Sequence, residues 1–454
     1  MINIEDISSV YLIGIGGIGM SALAQYFYEI GCKVAGSDRM HSYVTAMLED
    51  KGILVHYDED PKHLDFNPDL VIYTPAISEK NLEFQYACSN FEFVCKRSEV
   101  LQKIVEDKYC VAVSGTHGKT SITSMIAHIL SYTDDKVNAF VGGVCKNINN
   151  NFYYNKGSRI VVVEADEYDR SFLKLTPNIA VVNAVEEDHL DIYGNLENII
   201  KTYNQFVEKT KPINRLINVK YKKYFDEGCT YGINQTADFK ILKYFYSKGL
   251  LTVKVWNGKN IVKYSKLRVF GKFNVENFCA ALNVAYRFNV SDQIIEKAMR
   301  EYKGVKRRFD VRYESKNLIL IDDYAHHPVE IQNIHSAIRD VYRGKTIIAI
   351  FQPHLYTRTR DFMNDFAQCL STFDKLYLLD IYPAREAPIE GVSSQAICDI
   401  VNKINPKIDA KVVKKQDINS LIENIDTDIV ATIGAGDIDK VCDKIVSILN
   451  NKDN

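Results

Sequence analysis

The chain has 454 residues, more than one hydrophobic core normally organises, and this length predicts two or three domains. Hydrophobic residues make up 46% and charged residues 25%, a globular composition that argues against disorder. The 56 basic and 58 acidic side chains leave a net charge of −2, which argues against a general nucleic-acid binder. The first residues lack signal-peptide character and no apolar run reaches membrane-spanning length, so we expect a cytoplasmic protein with no membrane association.

Short β-branched runs alternate with amphipathic stretches, which predicts α/β units with parallel sheets. The first series comprises, in chain order, a strand at Val10–Ile15, a helix at Met20–Glu29 and a strand at Val71–Thr74. The second comprises a strand at Cys110–Ser114, a helix at Thr120–Leu130 and strands at Ile160–Glu164 and Ile179–Asn183.

From Pro212 to about Lys266 the pattern loosens into alternating Tyr, Lys and Val, which we interpret as appended antiparallel strands. A third regular series follows, with strands at Leu318–Ile321, Thr346–Phe351, Leu376–Leu379, Lys411–Val413 and Ile429–Ile433. The predicted domains are therefore residues 1–105, 106–304 and 305–454.

A glycine-rich run follows the first predicted strand and opens the first predicted helix. Glycines let backbone N–H groups approach a phosphate at the positive end of a helix dipole. Asp38, nineteen residues after the last of these glycines, is placed where an acidic side chain commonly receives ribose hydroxyls. The candidate diphosphate-binding residues are Gly14, Gly16, Gly17, Gly19, Ser37 and Asp38. The pattern fits NAD or another nucleoside diphosphate.

A second glycine loop, Gly115-Thr116-His117-Gly118-Lys119-Thr120-Ser121, follows a strand and opens a helix. Such a loop supplies a backbone anion cradle, a lysine ammonium for β- and γ-phosphates and a hydroxyl for Mg²⁺. The usual P-loop glycine five residues before Gly118 is Val113 here, so the loop is a shortened variant. All seven residues are candidates for ATP binding.

Acidic groups follow the next two strands, in Glu164-Ala165-Asp166-Glu167 and in Asp188-His189. Because the carboxyl ends of parallel strands line one crevice, we expect these groups beside the phosphate loop. Carboxylate oxygens with a histidine and waters suit a Mg²⁺ ion that bridges phosphates.

Two motifs of the third series are rich in groups that bind carboxylates and phosphates. They are Ile321-Asp322-Asp323-Tyr324-Ala325-His326-His327-Pro328 and Phe351-Gln352-Pro353-His354-Leu355-Tyr356-Thr357-Arg358-Thr359-Arg360. Arg307-Arg308-Phe309 lies at the second domain boundary, placed to move onto a γ-phosphate when the domains close. A plain basic linker is the alternative interpretation.

Together with Gly271-Lys272-Phe273-Asn274-Val275-Glu276-Asn277, these motifs resemble those of the Mur ligases, in the same order and over essentially the whole chain. The resemblance implies an N-terminal Rossmann-like UDP-binding domain, a central P-loop-type ATPase α/β domain and a C-terminal Rossmann-like α/β domain. It also implies that the first loop holds a UDP diphosphate. Phe273 occupies a position where the family usually has histidine. Leu355 occupies a position where the family often has arginine, so carboxylate binding depends on Arg358 and its neighbours.

The activity that the resemblance implies is ATP-dependent amide formation between the lactyl carboxylate of UDP-N-acetylmuramate and L-alanine, in peptidoglycan precursor synthesis. ATP and Mg²⁺ are the implied cofactors. Positions matching the family's nucleotide and metal residues are Lys119, Thr120, Glu164, His189 and Asn277. Positions matching its remaining residues are Arg97 for the sugar nucleotide, Tyr324, His326 and Arg358 for the amino acid, and Arg308 as the boundary arginine.

The sequence leaves two questions open. Either His326 or Asp323 could take the ammonium proton, so both join Lys119 and Arg308 as catalytic candidates. Three other interpretations also compete: a ligase that recycles murein tripeptide onto the same sugar nucleotide, an NAD-dependent oxidoreductase, and a non-enzymatic ATP-gated binding module. The oxidoreductase would leave Lys119 and the acidic motifs without a role.

Overall fold

The computed structural model describes residues 3–187, 190–384, 386–423 and 425–453, and its strands form three sheets. The first sheet has five parallel strands in the order β3-β2-β1-β4-β5. They are β1 (Ser9–Ile13), β2 (Lys33–Ser37), β3 (Leu54–His56), β4 (Leu70–Tyr73) and β5 (Val94–Lys96). The helices around this sheet are α1 (Ile18–Glu29), α2 (Tyr43–Asp50), α3 (Leu82–Asn90) and α4 (Arg97–Val105).

Strand β1 is buried from Val10 to Ile13, and its side chains pack on both faces of the sheet. Val10 and Leu12 point into one hydrophobic cluster, whereas Tyr11 and Ile13 point into another. The strand ends two residues before its predicted end, because Gly14 turns the chain with a φ of 83°.

The second sheet has ten strands, in the order β15-β14-β13-β12-β11-β10-β6-β9-β7-β8. They are β6 (Tyr109–Ser114), β7 (Val137–Cys145), β8 (Asn150–Tyr153), β9 (Ile160–Glu164), β10 (Ile179–Val182), β11 (Arg215–Asn218), β12 (Cys229–Gly232), β13 (Phe239–Ser247), β14 (Leu250–Trp256) and β15 (Ile261–Leu267). The helices of this region are α5 (Lys119–Leu130), α6 (Leu190–Tyr193), α7 (Leu196–Val207), α8 (Lys272–Arg287) and α9 (Asp292–Glu301).

The expectation of antiparallel strands from residue 212 onward is wrong for the first part of that region. Strand β11 pairs parallel with β10, and β12 pairs parallel with β11 and with β13. Alternation of exposed and buried residues has the same period in both arrangements, so the sequence pattern could not distinguish them.

The third sheet has six strands, in the order β16-β17-β21-β18-β19-β20, and every pair except β16 with β17 is parallel. They are β16 (Asp310–Glu314), β17 (Ile319–Asp323), β18 (Ile347–Phe351), β19 (Lys375–Leu378), β20 (Lys411–Val412) and β21 (Ile429–Ile433). Its helices are α10 (Pro328–Val341), α11 (Tyr356–Asp361), α12 (Met363–Leu370), α13 (Ser394–Ile404), α14 (Ile418–Glu423) and α15 (Ile438–Asp453).

The chain separates into two compact units. The first holds the residues up to Phe245 together with Thr252–Arg268 and Glu276–Lys303. The second holds Tyr246–Leu251, Val269–Val275 and the chain from Gly304 onward. Within the described ranges, no helix combines the length and the apolar character that crossing a membrane requires.

Helix α1 of the first sheet packs against the β7–β8 hairpin of the second sheet, inside the first unit. The Asn151 amide donates to the Ile18 carbonyl at 2.6 Å, and the Gln25 amide donates to the Asn151 side-chain oxygen at 3.0 Å. Both amide side chains are fully buried. Buried amides whose hydrogen bonds are made favour one packing arrangement, so these contacts attach the first sheet to the second within this unit.

Candidate active site

The second glycine loop connects β6 to α5 at the centre of the ten-stranded sheet. Gly118 has a φ of 85°, and a Cβ there would lie 2.4 Å from the Asn183 amide nitrogen and 2.6 Å from the Asn277 side-chain oxygen. Only glycine therefore fits at this position. The same two side chains are hydrogen-bonded to each other at 3.1 Å, so Asn277 on α8 lies beside the loop.

The hydroxyl-bearing residues of the loop, Thr116, Thr120 and Ser121, are buried. The Thr116 hydroxyl is buried and finds no hydrogen-bond partner among the residues that the structure describes. A buried unpaired hydroxyl is costly, and a phosphate oxygen could satisfy it. His117 lies 3.4 Å from Glu186, and this contact holds the pKa of the Glu186 carboxyl at about 2. Ser121, in the first turn of α5, is buried.

Lys119 is held by three contacts. Its ammonium donates to the Gly115 carbonyl at 2.8 Å and to the two carboxylate oxygens of Glu167 at 2.7 and 2.9 Å. Burial is the largest single influence and lowers the pKa of Lys119, but the negative charges of Glu167, Asp166 and Glu164 together outweigh it, so the net pKa is raised. Lys119 is therefore a cation within the loop.

Glu164, at the end of β9, joins the loop to the neighbouring hairpin. One oxygen accepts a hydrogen bond from the Thr120 hydroxyl at 3.2 Å and the other from the Gly142 backbone N–H at 2.5 Å. Burial raises the pKa of the Glu164 carboxyl, which the Gly142 contact partly opposes. The predicted proximity of Thr120 and Glu164 is confirmed, whereas the predicted metal-associated His189 lies outside the described residues.

The donor set at Glu164 and Thr120 fits a hard divalent cation, because both supply oxygen atoms. Across the described ranges, no group of three or more histidine, cysteine or acidic side chains is arranged to hold a metal ion. Phosphate oxygens of a bound nucleotide and water molecules can supply further ligands to such a site.

The first glycine loop is fixed by the end of β2. The backbone N–H groups of Gly14 and Ile15 donate to the Ser37 carbonyl at 2.8 and 2.9 Å, and that of Gly16 donates to the Asp38 carboxylate at 2.9 Å. Asp38 thus shapes the loop directly. The Ser37 hydroxyl points away and donates to the buried Glu83 carboxylate, so only the backbone of Ser37 serves the loop.

Arg97, the first residue of α4, lies beside both the first glycine loop and the acidic segment after β9. A Cβ at Gly19 would come 2.7 Å from a guanidinium nitrogen of Arg97. Another nitrogen of the same guanidinium lies 3.5 Å from the Asp166 carboxylate in the acidic segment after β9. The sequence placed Arg97 with the sugar nucleotide, and the structure adds its contact with the central sheet.

The second unit brings together the two motifs of the third series. His326 Nδ1 lies 3.0 Å from the Tyr324 carbonyl, which can only accept a proton, so Nδ1 carries the hydrogen and Nε2 the lone pair. Burial lowers the pKa of His326, and the nearby Glu330 carboxylate partly opposes this. His326 is therefore a neutral imidazole with a basic Nε2.

Arg358 lies in the same cluster. Its guanidinium donates to His354 Nδ1 at 3.3 Å, and the His354 ring stands 6.3 Å from that of His326. Burial and the positive charge of Arg358 lower the pKa of His354 to about 4. His354 was part of a quoted motif but was not singled out from the sequence.

Asp323 and the boundary arginines have defined contacts of their own. The two Asp323 oxygens accept the backbone N–H groups of Phe309 and Ala325 at 2.6 and 2.9 Å. The Arg308 guanidinium lies 5.3 Å from the centre of the Tyr324 ring. Arg307, in contrast, donates to the Gly434 carbonyl at 2.5 Å and pairs with Asp322 at 3.6 Å.

Two contacts of the site are not predicted from the sequence: Glu167 with Lys119, and the Gly142 N–H with Glu164. Glu167 was quoted within its acidic motif, but nothing local indicated that it pairs with a lysine 48 positions earlier. The Gly142-Gly143 pair in β7 was a usable signal, because glycine within a strand often marks a close approach.

Comparison with known proteins covers the whole chain. The family model for the Mur ligase middle domain matches residues 113–285, the Mur ligase family catalytic domain matches 9–109, and the Mur ligase glutamate ligase domain matches 307–437. A UDP-N-acetylmuramate–L-alanine ligase of Christiangramia forsetii is 41% identical, over 99% of each chain. One of Flavobacterium psychrophilum is 42% identical, over 99% of this chain and 100% of its own.

Solved structures give the same picture. The UDP-N-acetylmuramate–alanine ligase of Thermotoga maritima superposes with a TM-score of 0.84 at 27% identity, over 98% of this chain and 99% of its own. A murein peptide ligase of Psychrobacter arcticus has a TM-score of 0.68 at 21% identity, over 98% and 99%, a likeness of fold alone.

Proposed function

This chain belongs to the Mur ligase family, and we propose that the residues described above divide the family's reaction between them. The enzyme adds L-alanine to UDP-N-acetylmuramate and forms an amide bond with ATP as the energy source. The observation that carries this function is full-length identity of about 41% to L-alanine ligases, joined to a phosphate loop that holds a charged lysine. The tripeptide-recycling and NAD-dependent alternatives are not favoured.

A carboxylate is a poor electrophile, so an amine does not condense with it at neutral pH. Transfer of the ATP γ-phosphoryl group to the lactyl carboxylate gives an acyl phosphate, whose phosphate is a good leaving group. Phosphoryl transfer depends mainly on position and charge neutralisation. We assign one positive charge to Lys119 in the phosphate loop, and we propose Arg308 as a second on its match to the family's boundary arginine.

Mg²⁺, when bound, supplies further positive charge to the phosphate oxygens. Thr120 and Glu164 are the described residues that would hold it, because they present a hydroxyl and a carboxylate oxygen beside the loop. We propose His189 as a further ligand on its match to the family motif.

We expect Glu164→Gln to raise the Mg²⁺ concentration needed for half-maximal activity and to lower turnover. The substitution removes an anionic oxygen and keeps the side-chain volume. Titration of Mg²⁺ against both activity and ADP binding measures the effect. Glu99→Gln, which alters a half-exposed carboxylate paired with Lys174, is the matched control. If Glu164→Gln left the Mg²⁺ dependence unchanged, Glu164 would not be a ligand of the cation.

His326 is the better candidate for the general base. The lone pair on Nε2 can accept the proton that L-alanine must lose before its nitrogen attacks. Both Asp323 oxygens instead accept backbone N–H groups, so Asp323 positions Phe309 and the His326 loop. Arg358, already paired with a neutral histidine, remains a cation that can bind the substrate carboxylate.

We expect His326→Gln to lower kcat/KM for L-alanine by about 10²- to 10⁴-fold. A base acts when deprotonated, and the pKa of His326 lies below its usual range. Wild-type activity should therefore fall only when the pH drops below the ordinary pKa of a histidine. This loss of activity at acidic pH, the acidic limb of the pH profile, should be absent in the variant. His335→Gln, at a half-buried histidine packed on Phe373, is the control. An acidic limb that persists in His326→Gln would exclude this base.

One assay separates the competing functions. The protein is incubated with ATP, Mg²⁺ and UDP-N-acetylmuramate, and phosphate release is measured with L-alanine, with murein tripeptide and with neither. L-alanine-dependent release supports the proposal, and release with tripeptide alone would overturn it. We place the domain limits at 1–105, 106–304 and 305–454, and the reaction in the cytoplasm, where ATP and UDP sugars are available.

A further inference from the structure

Lys119 and Glu167 form a largely enclosed ion pair beside the phosphate loop. The Lys119 side chain is 18% exposed and that of Glu167 is 2% exposed. The three ammonium protons of Lys119 match three acceptors, namely the Gly115 carbonyl and the two Glu167 oxygens. These protein groups can therefore accept all three ammonium protons.

The backbone of Glu167 is itself fixed. Its carbonyl accepts a hydrogen bond from the Tyr193 hydroxyl at 2.5 Å and from the Arg170 N–H at 2.9 Å. Glu167 is thus an anchored, buried carboxylate and not a mobile surface group. The other carboxylates of its segment have different partners: Glu164 contacts Thr120, and Asp166 contacts Arg97.

We propose that Glu167 is a positioning residue for Lys119, an inference that rests on the proposed function of the loop. It restrains a side chain with four rotatable bonds to one orientation before ATP arrives. When ATP binds, a phosphate oxygen replaces one of the three acceptors. Glu167 still holds the Lys119 ammonium at the position where negative charge develops during phosphoryl transfer.

This arrangement has an unfavourable consequence for binding. A carboxylate within hydrogen-bond distance of the lysine reduces the positive charge that attracts ATP and repels the triphosphate. Glu167 should therefore weaken ground-state binding of ATP while it increases the rate of phosphoryl transfer. These two effects have opposite signs, and a carboxylate that served only to stabilise the fold would not produce both.

The decisive variant is Glu167→Gln, which keeps one oxygen acceptor for Lys119 and removes the charge. We expect kcat to fall by about 10²-fold, the loss that follows a small misplacement of a catalytic group. We expect the dissociation constant of the β,γ-methylene analogue of ATP, measured by calorimetry with Mg²⁺, to fall by about tenfold.

Glu167→Asp tests position without a change of charge. It shortens the side chain by one methylene, so the two carboxylate oxygens can no longer both accept hydrogen bonds from the Lys119 ammonium. We expect kcat to fall while the analogue binds no more tightly than to the wild type. This variant also keeps the proposal testable if Glu167→Gln, which leaves a buried cation less compensated, fails to fold.

Asp166→Asn is the matched control, because it removes the same charge from the same segment but from a residue that contacts Arg97. It should change the affinity for the ATP analogue less than Glu167→Gln does. Weaker analogue binding in Glu167→Gln, an unchanged kcat, or an equal gain of affinity in Asp166→Asn would each overturn the proposal. Failure of the wild type to release phosphate with L-alanine would instead overturn the proposed function.

Discussion

Replacement of Lys119 by alanine is expected to abolish ligation and to leave binding of UDP-N-acetylmuramate intact. Lys119 is the cation of the phosphate loop, whereas the sugar nucleotide is assigned to the first sheet and its glycine loop. Loss of one charge that stabilises the transition state commonly costs on the order of 10³-fold or more in rate. Phosphate release measures the first effect, and calorimetry with UDP-N-acetylmuramate measures the second.

The structure adds a necessary control to this experiment. Lys119→Ala leaves the Glu167 carboxylate, only 2% exposed, without its cationic partner. An unpaired buried charge destabilises a protein by several kcal/mol, typically about 3–5 kcal/mol. The double variant Lys119→Ala, Glu167→Gln removes both charges, so it should recover thermal stability and remain inactive.

Turnover close to that of the wild type in either Lys119 variant would contradict the assignment of the ATP loop. Recovery of activity in the double variant would show that the single variant had failed through instability alone. Loss of UDP-N-acetylmuramate binding in the stable double variant would argue against separate sites for the two nucleotides.

The sequence predicted those parts of the site that depend on local patterns. The segment Gly115–Ser121 follows its strand and opens its helix as expected, and Glu164 ends its strand at the predicted residue. Such features follow from the periodicity of one strand and the glycines after it. The approach of Thr120 to Glu164 then followed from the rule that parallel strands present their carboxyl ends at one edge.

Contacts between distant segments could not be predicted in this way. Arg97 and Asp166 are 69 positions apart, and no local pattern in either segment indicates the other. The partner of Lys119 could not be chosen among the carboxylates of one short acidic run. The choice depends on the direction in which each side chain leaves the backbone, which the fold decides and a charge pattern does not.

Asp38 shows how a correctly placed residue can have an unexpected contact. Its spacing after the glycine run suggested a hydrogen bond to a ribose. In the structure one carboxylate oxygen accepts the Gly16 N–H at 2.9 Å and the other accepts the Arg39 N–H at 2.8 Å. A carboxylate has about four lone-pair directions, so these contacts leave acceptor capacity for a ligand while they fix the loop.

Gly16→Val is expected to raise the KM for UDP-N-acetylmuramate sharply and to change the KM for ATP much less. A Cβ at Gly16 would lie 2.8 Å from both the Asp38 carboxylate and the Thr45 methyl group, so the loop must move away from the position that its hydrogen bonds define. The substitution also places a side chain where a phosphate must approach the backbone.

Two further variants separate the steric effect from the electrostatic one. Asp38→Ala removes the acceptor of the Gly16 N–H without adding bulk, and a hydrogen bond to a charged group contributes about 1.5–3 kcal/mol. Its effect on the KM for UDP-N-acetylmuramate should therefore have the same direction as that of Gly16→Val and be smaller. Gly17→Ala adds a methyl group to the same loop without a clash, because a Cβ there meets nothing closer than 3.4 Å, so its effect on this KM should be smaller than that of Gly16→Val.

Titration with NADH completes this experiment, because the first loop by itself fits a dinucleotide as well as a UDP sugar. Saturable NADH binding at micromolar concentration, with no binding of UDP-N-acetylmuramate by calorimetry, would contradict the assignment of the loop. We expect the opposite result. Amide formation from a carboxylate requires an energy source, and ATP bound at the Lys119 loop can be that source. The reaction therefore needs no redox cofactor at the first loop. The Gly16→Val variant should therefore lose sugar-nucleotide binding and retain the ATP analogue.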